Sequence, residues 1–343
     1  MSTYIIAEAG VNHNGDEKLA LQLVETAAAC GVDAVKFQTF SADKLVRPGA
    51  DKAEYQKRET GSGDQHSMLK ALEMSPELHR KLLARCKEVG IEFMSTPFDE
   101  DAVDFLLELG MRRIKVPSGE ISNEPFLDFL ASKGMPLIVS TGMATLAEIE
   151  RAVAVIGAAR LRAGYTGELA SSLTILHCTS NYPAQCSDVN LRAMQTIADA
   201  TGMPVGYSDH TLGLAVSTAA VALGATVIEK HFTLDRDMPG PDHKASLSPQ
   251  ELAALVRQIR DVEVALGSSV KAPTASELQV RALVRRSVTT ARAVTAGSVL
   301  TADDLVLLRP GNGIEPREIG QVVGRRAARD LPTGTTLLWP DLQ

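Results

Sequence analysis

The chain has 343 residues, 45% of them apolar, 22% charged and 4% aromatic, a globular composition that can bury a sizeable core. Its formal net charge is −7 and it has no long lysine or arginine run, so nucleic acid is not an expected partner. The four cysteines have no metal-binding spacing, no apolar stretch reaches spanning length, and the start lacks a basic or long apolar leader; a cytoplasmic protein with reduced thiols and no membrane partner is expected.

Short runs rich in Val and Ile lie at residues 4–7, 34–37, 91–94, 113–116, 136–139, 173–176, 204–207 and 226–229, with segments of helical periodicity between them. That alternation predicts β-α units on a parallel sheet, and eight of them close a barrel. After the first run, Leu19, Leu23 and Ala27 share one helix face and Gly31 stands where the helix should stop. The second run leads into segment 39–74, far beyond a usual connection of roughly 4–6 residues, and so expected to be functional or a lid.

Ser75-Pro76 opens the next helix and Gly90 ends it, while Gly134 marks a later stop. Thr145 with Glu148, and Ser248 with Glu251, form capping boxes, the second leading into the apolar face of Leu252, Leu255, Ile259 and Val262. An open doubly wound sheet would share this alternation, but no glycine-rich dinucleotide fingerprint follows the first run. Gly, Ser, Ala, Pro and Thr then dominate from Gly267, a linker composition, and short Val, Leu and Thr runs between glycines follow. The expected fold is therefore a (β/α)8 TIM barrel over residues 1–266, a linker over 267–286, and a small β-rich domain over 287–343.

Chemistry in such a barrel sits at the carboxyl ends of the strands. Every run ends polar: Glu8; Lys36 and Gln38; Ser95 and Thr96; Lys115, Ser118 and Glu120; Ser140; His177 onward; Ser208 to His210; Glu229 and His231. Singly, such residues are more often caps or turn formers. Two lysines aimed at one mouth, with hydroxyls around them, instead read as a pocket for a phosphate and a carboxylate. His210 and His231 end consecutive strands, with Asp209, Glu229, Asp242 and Glu8 near in sequence or register; imidazole with oxygen donors points to Mn²⁺ or a similar ion rather than structural zinc. His13 reads equally as a loop or a site residue, and His66, His79 and His243 are expected on the surface or in loops.

The motifs AEAGVNHNG (7–15), VKFQTF (35–40), STPFD (95–99), PSGE (117–120), STGM (140–143), YSDHT (207–211) and EKHFT (229–233) resemble the bacterial N-acetylneuraminate synthase family, which includes legionaminic acid synthases. RPGNG (309–313) resembles that family's antifreeze-like, or SAF, domain. The resemblance implies attack by C3 of phosphoenolpyruvate on the aldehyde of an open-chain N-acetylated amino sugar. N-acetylmannosamine, giving N-acetylneuraminate and phosphate, is the expected acceptor; the 6-deoxy diacetamido precursor of legionaminic acid is the alternative.

By the same resemblance, His210 and His231 would bind Mn²⁺, and Lys36, Thr96, Lys115, Ser118, Ser140 and Ser208 would hold phosphoenolpyruvate. Glu8 and Glu120 would do proton work. Gln38, Tyr182, Asp242 and, across a domain-swapped homodimer, Arg309 would contact the sugar. Where some members have an asparagine directly after a Cys-Thr pair, this chain has Ser180 and then Asn181, leaving open which meets the phosphate. Two competing readings remain: a metal-dependent sugar isomerase or epimerase, and a carbohydrate- or ice-binding protein with the barrel as scaffold.

Overall fold

All eight β-branched runs become strands: β1 Tyr4–Gly10, β2 Ala34–Thr39, β3 Glu92–Pro97, β4 Ile114–Val116, β5 Leu137–Ser140, β6 Leu173–Cys178, β7 Val205–Asp209 and β8 Val227–His231. The computed structural model describes residues 2–343. Its parallel strands bond in the order β3-β2-β1-β8-β7-β6-β5-β4, and the two end strands, β3 and β4, lie side by side to close a (β/α)8 barrel.

Side chains alternate across each strand, and that period of two builds the interior in layers. The lower layer is Ile6, Ala34, Met94, Ile138, Leu176 and Val227, an apolar plug. Burying each large aliphatic side chain contributes about 1.5–3 kcal/mol. Beneath it Tyr4 donates a 2.7 Å hydrogen bond to Glu92, which also receives the Arg113 guanidinium at 2.8 Å. Two residues further along the strands, the same inward positions carry Glu8, Lys36, Thr96, Lys115, Ser140, Cys178, Ser208 and Glu229. The intervening residues, Ile5, Ala7, Val35, Phe37, Val139 and Ile228 among them, face outward into the main core against the helices.

The helix starts follow their caps. Ser75 accepts from Leu78, and the Thr145–Glu148 and Ser248–Glu251 boxes both form. Gly31 and Gly90 end their helices at φ 80° and 77°, a left-handed conformation that glycine adopts at little cost. Segment 39–74 is a string of short helices, Ala42–Leu45, Glu54–Thr60 and Gln65–Lys70. No helix among the described residues is long and apolar enough to cross a membrane.

The chain divides into units Met1–Gly267 and Ser268–Gln343. The second has its own core, from Val288 and Leu300 to Leu331 and Leu337, around the antiparallel pair β9 Ser287–Thr290 and β10 Leu305–Leu308. The expectation of a plain linker over 267–286 is corrected: Ala275–Val284 is a helix. Thr274 and Glu277 cap it reciprocally, a signal that the surrounding Pro and Ser composition hid.

Candidate active site

The polar layer opens into a cavity of about 500 Å³ at the carboxyl ends of the strands. Its floor is an ion network. The Lys36 ammonium contacts the Glu8 carboxylate, lies 3.6 Å from Glu229 and donates to Thr96 at 2.9 Å. Lys115 approaches Glu229 at 3.2 Å, and Ser208 donates to the same carboxylate at 2.9 Å. Gln38 donates to Glu8 at 3.2 Å.

The two carboxylates are shifted in opposite directions. Burial raises the Glu8 pKa, and the nearby Glu229 charge adds to that against the single close partner Lys36. Glu229 is buried too, which alone would raise it, but Lys115 and Lys36 together with the Ser208 hydroxyl pull it below the ordinary range. Of the two carboxylates, Glu8 is the one that takes up a proton more readily. Burial opposes the charge on Lys36 as well, and Glu229 and Glu8 more than restore it.

Above the floor the His210 and His231 rings lie 5.5 Å apart between centroids. Burial drives both toward the neutral form, His210 to about 4. His210 donates through Nδ1 to the Thr179 carbonyl at 2.7 Å, which leaves Nε2 as its lone-pair nitrogen. His231 Nδ1 is buried with no hydrogen-bond partner, and Asp242 Oδ2 stands 4.0 Å from it. Asp242 is itself raised to about 6 by burial. Two neutral imidazoles with free lone pairs fit a divalent metal. Among the described residues no group of three or more His, Cys, Asp or Glu side chains is arranged to hold one, so further ligands would come from substrate and water.

Gly142 donates its backbone N–H to Ser118 Oγ at 2.9 Å, and a Cβ at Gly142 would fall 2.1 Å from Ser180 Oγ. The glycine thus keeps open a cradle of hydroxyls. Ser140 Oγ is buried there without a partner, a cost that a ligand would relieve.

Glu8, Lys36, Gln38, Thr96, Lys115, Ser118, Ser140, Tyr182, Ser208, His210 and His231 all line this one cavity. Glu120 does not. It sits in the 3-10 turn Ser118–Glu120 and accepts from Asn123 at 2.7 Å, because the turn that presents Ser118 to the cavity carries residue 120 away from the lining. Asp242 stands outside the lining, by His231, and Arg309 is exposed in the C-terminal unit. Ser180 lines the cavity and Asn181 is exposed.

Asp209 is corrected. It alternates outward between Ser208 and His210, where it takes Lys230 at 2.7 Å and Ser217 at 2.6 Å. His79 is buried on helix Pro76–Val89, where it bonds Thr39 of β2, and His243 is in the connection after β8 but buried, bonding Thr233. His13 is buried off the cavity, accepting from the Gly15 N–H at 3.0 Å. Glu229 was the central residue that sequence reasoning underrated, and the signal was there: an acid on an inward strand position facing two inward lysines.

The NeuB family profile matches residues 23–271. The chain belongs to the NeuB family. A SAF domain profile matches residues 285–343, which makes the second unit a SAF domain. The N,N'-diacetyllegionaminic acid synthase of Legionella pneumophila is 54% identical, over 100% of this chain and 95% of its own length. The synthase of the same name from Campylobacter jejuni is 46% identical over 96% of each chain. The crystal structure of a sialic acid synthetase from Leptospira borgpetersenii, with citrate, is 34% identical with a TM-score of 0.71, over 82% of this chain and 90% of that one. This NeuB protein is a phosphoenolpyruvate-dependent enzyme that forms carbon-carbon bonds, of the sialic acid synthase type. The isomerase and scaffold readings fall with that assignment.

Proposed function

We propose that the chain is an N,N'-diacetyllegionaminic acid synthase that joins phosphoenolpyruvate to a 6-deoxy diacetamido sugar, in place of the N-acetylmannosamine expected from sequence. Two relatives bearing that name, at 54% and 46% identity, support the choice of sugar. The observation that carries the chemistry is that Lys36, Lys115, His210 and His231 share one cavity.

Lys36 and Lys115 meet the phosphate and carboxylate of phosphoenolpyruvate, with the Thr96, Ser118 and Ser140 hydroxyls around it, while Ser208, whose proton goes to Glu229, holds that carboxylate beside Lys115. The Ser118 oxygen accepts from Gly142 and lies 3.2 Å from Cys178 Sγ, which orients its hydroxyl in the cavity. The aldehyde lies against the imidazoles, with Gln38 and Tyr182 toward the sugar and Asp242 beside His231. A divalent ion, Mn²⁺, would be held by His210 and His231 and would polarise the aldehyde oxygen when bound.

The carbon-carbon bond forms from C3 of phosphoenolpyruvate to the aldehyde carbon. Water adds its oxygen at C2, and phosphate leaves as the C2–O bond breaks. Glu8, whose pKa burial raises, gives its proton to the aldehyde oxygen as that oxygen becomes a hydroxyl and regains one from the added water, whose other proton leaves with the phosphate. The proposal extends to a homodimer in which Arg309 from a second copy contacts the sugar; sedimentation of the chain as a monomer would remove that part.

The test is competition. With phosphoenolpyruvate and equal amounts of both sugars, mass spectrometry should find the diacetamido product in about 10-fold excess or more. A predominance of N-acetylneuraminate would overturn the choice of acceptor.

A further inference from the structure

Four residues of segment 39–74 line the cavity: Ala53, Tyr55, Gln56 and Gln65. They are fixed in place. The Lys52 ammonium is buried and spent on Thr60 Oγ1 at 2.9 Å, the Gly61 carbonyl at 3.2 Å and the Ser62 carbonyl at 3.4 Å, which pins the end of helix Glu54–Thr60. Tyr55 stacks on Tyr182 at 5.2 Å, and Tyr182 lies 4.1 Å from the His210 ring. The segment therefore joins the cavity on the imidazole side, one aromatic ring beyond the place where an aldehyde would react.

Two amides meet there. The Gln56 oxygen accepts from the Ala53 N–H at 3.0 Å and from the Gln65 amide nitrogen at 3.4 Å. That arrangement orients both groups. The Gln56 nitrogen keeps at least one hydrogen to donate even where it approaches the Tyr55 hydroxyl, and among the described residues nothing donates to the Gln65 oxygen. Among the described residues, the Gln56 amide nitrogen and the Gln65 carbonyl oxygen thus keep unspent hydrogen-bonding capacity on two side chains that line the cavity.

We infer that Gln56 and Gln65 form a paired-amide clamp for the second acetamido group of the acceptor and thereby select it over a mono-acetamido sugar; this rests on the function proposed above. An acetamido group offers a carbonyl that accepts and an N–H that donates, the complement of what the two glutamines leave unused. The acetamido group shared by both sugars sits next to the aldehyde carbon and stays near the imidazoles. The second lies farther along the chain, in the direction of Tyr182 and the loop. Charge agrees: Lys36 and Lys115 are the only lysine or arginine side chains lining the cavity, both on its floor, so the loop end is built for an uncharged acceptor.

The experiment compares kcat/KM for the diacetamido sugar and N-acetylmannosamine in the full chain, in Gln56→Glu and in Gln65→Met. Gln56→Glu keeps the oxygen that caps the Ala53 N–H and loses the amide hydrogens. The preference for the diacetamido sugar should fall about 10-fold or more in each variant, the scale of one lost hydrogen bond with its partner left unmet. Should Gln56→Glu not fold, Gln65→Met decides alone. A wild type with the preference, and variants that retain it, overturn the clamp while leaving the function intact; a wild type without the preference overturns the functional reading and the clamp with it.

Discussion

Glu8 and Glu229 face the same pair of ammonium groups, yet one is poised to hold a proton and the other to stay ionised. The difference is the count of close partners. Glu229 has Lys115, Lys36 and the Ser208 hydroxyl, while Glu8 has Lys36 in contact, the Gln38 amide and only a weaker pull from Lys115 against full burial. Since the Glu8 pKa is raised, its contribution to stability is complete below the ordinary glutamate value and is lost as pH rises through the raised one. Activity that uses Glu8 as an acid should fall over the same window. Glu8→Gln should lower kcat by about 100-fold or more and remove that alkaline limb from the pH profile; a full-speed variant with the limb intact would acquit Glu8 of proton transfer.

At the scale of elements, β7 and β8 are joined on both faces. Ser208 and Glu229 meet inside the barrel, and Asp209 and Lys230 meet outside it, where Lys230 also donates to the Thr211 carbonyl at 2.6 Å. Lys230→Met strands a buried carboxylate and should cost about 3–5 kcal/mol in denaturant unfolding, much of it recovered by adding Asp209→Asn. Equal losses for the single and double variants would show the pair to be unimportant. The alternation explains what the sequence could disclose. Lys36, Lys115, Glu229 and His231 are legible because a charged or imidazole side chain at an inward strand position must have a partner or a ligand. Asp209 was misread because chain proximity to His210 says nothing of the face it occupies. Helix Glu54–Thr60 was illegible for another reason: Ala53 stands at its N-cap, where no side-chain signal announces a start.

The molecule has two units, a barrel with its reactive layer above an apolar plug and a SAF domain with a separate core. The barrel offers a metal two imidazoles, so its affinity should be moderate and dependent on substrate. Treatment with a strong chelator should abolish turnover and Mn²⁺ should restore it in the wild type but not in His210→Ala; undiminished activity after chelation would exclude the ion from the reaction. What decides the account most directly is where phosphoenolpyruvate binds. In a calorimetric titration, Lys115→Met should bind it about 10-fold or more weakly than the wild type, the scale of a lost charge-assisted contact. Unchanged affinity, with the variant folded, would place phosphoenolpyruvate outside this cavity and contradict the mechanism built on it.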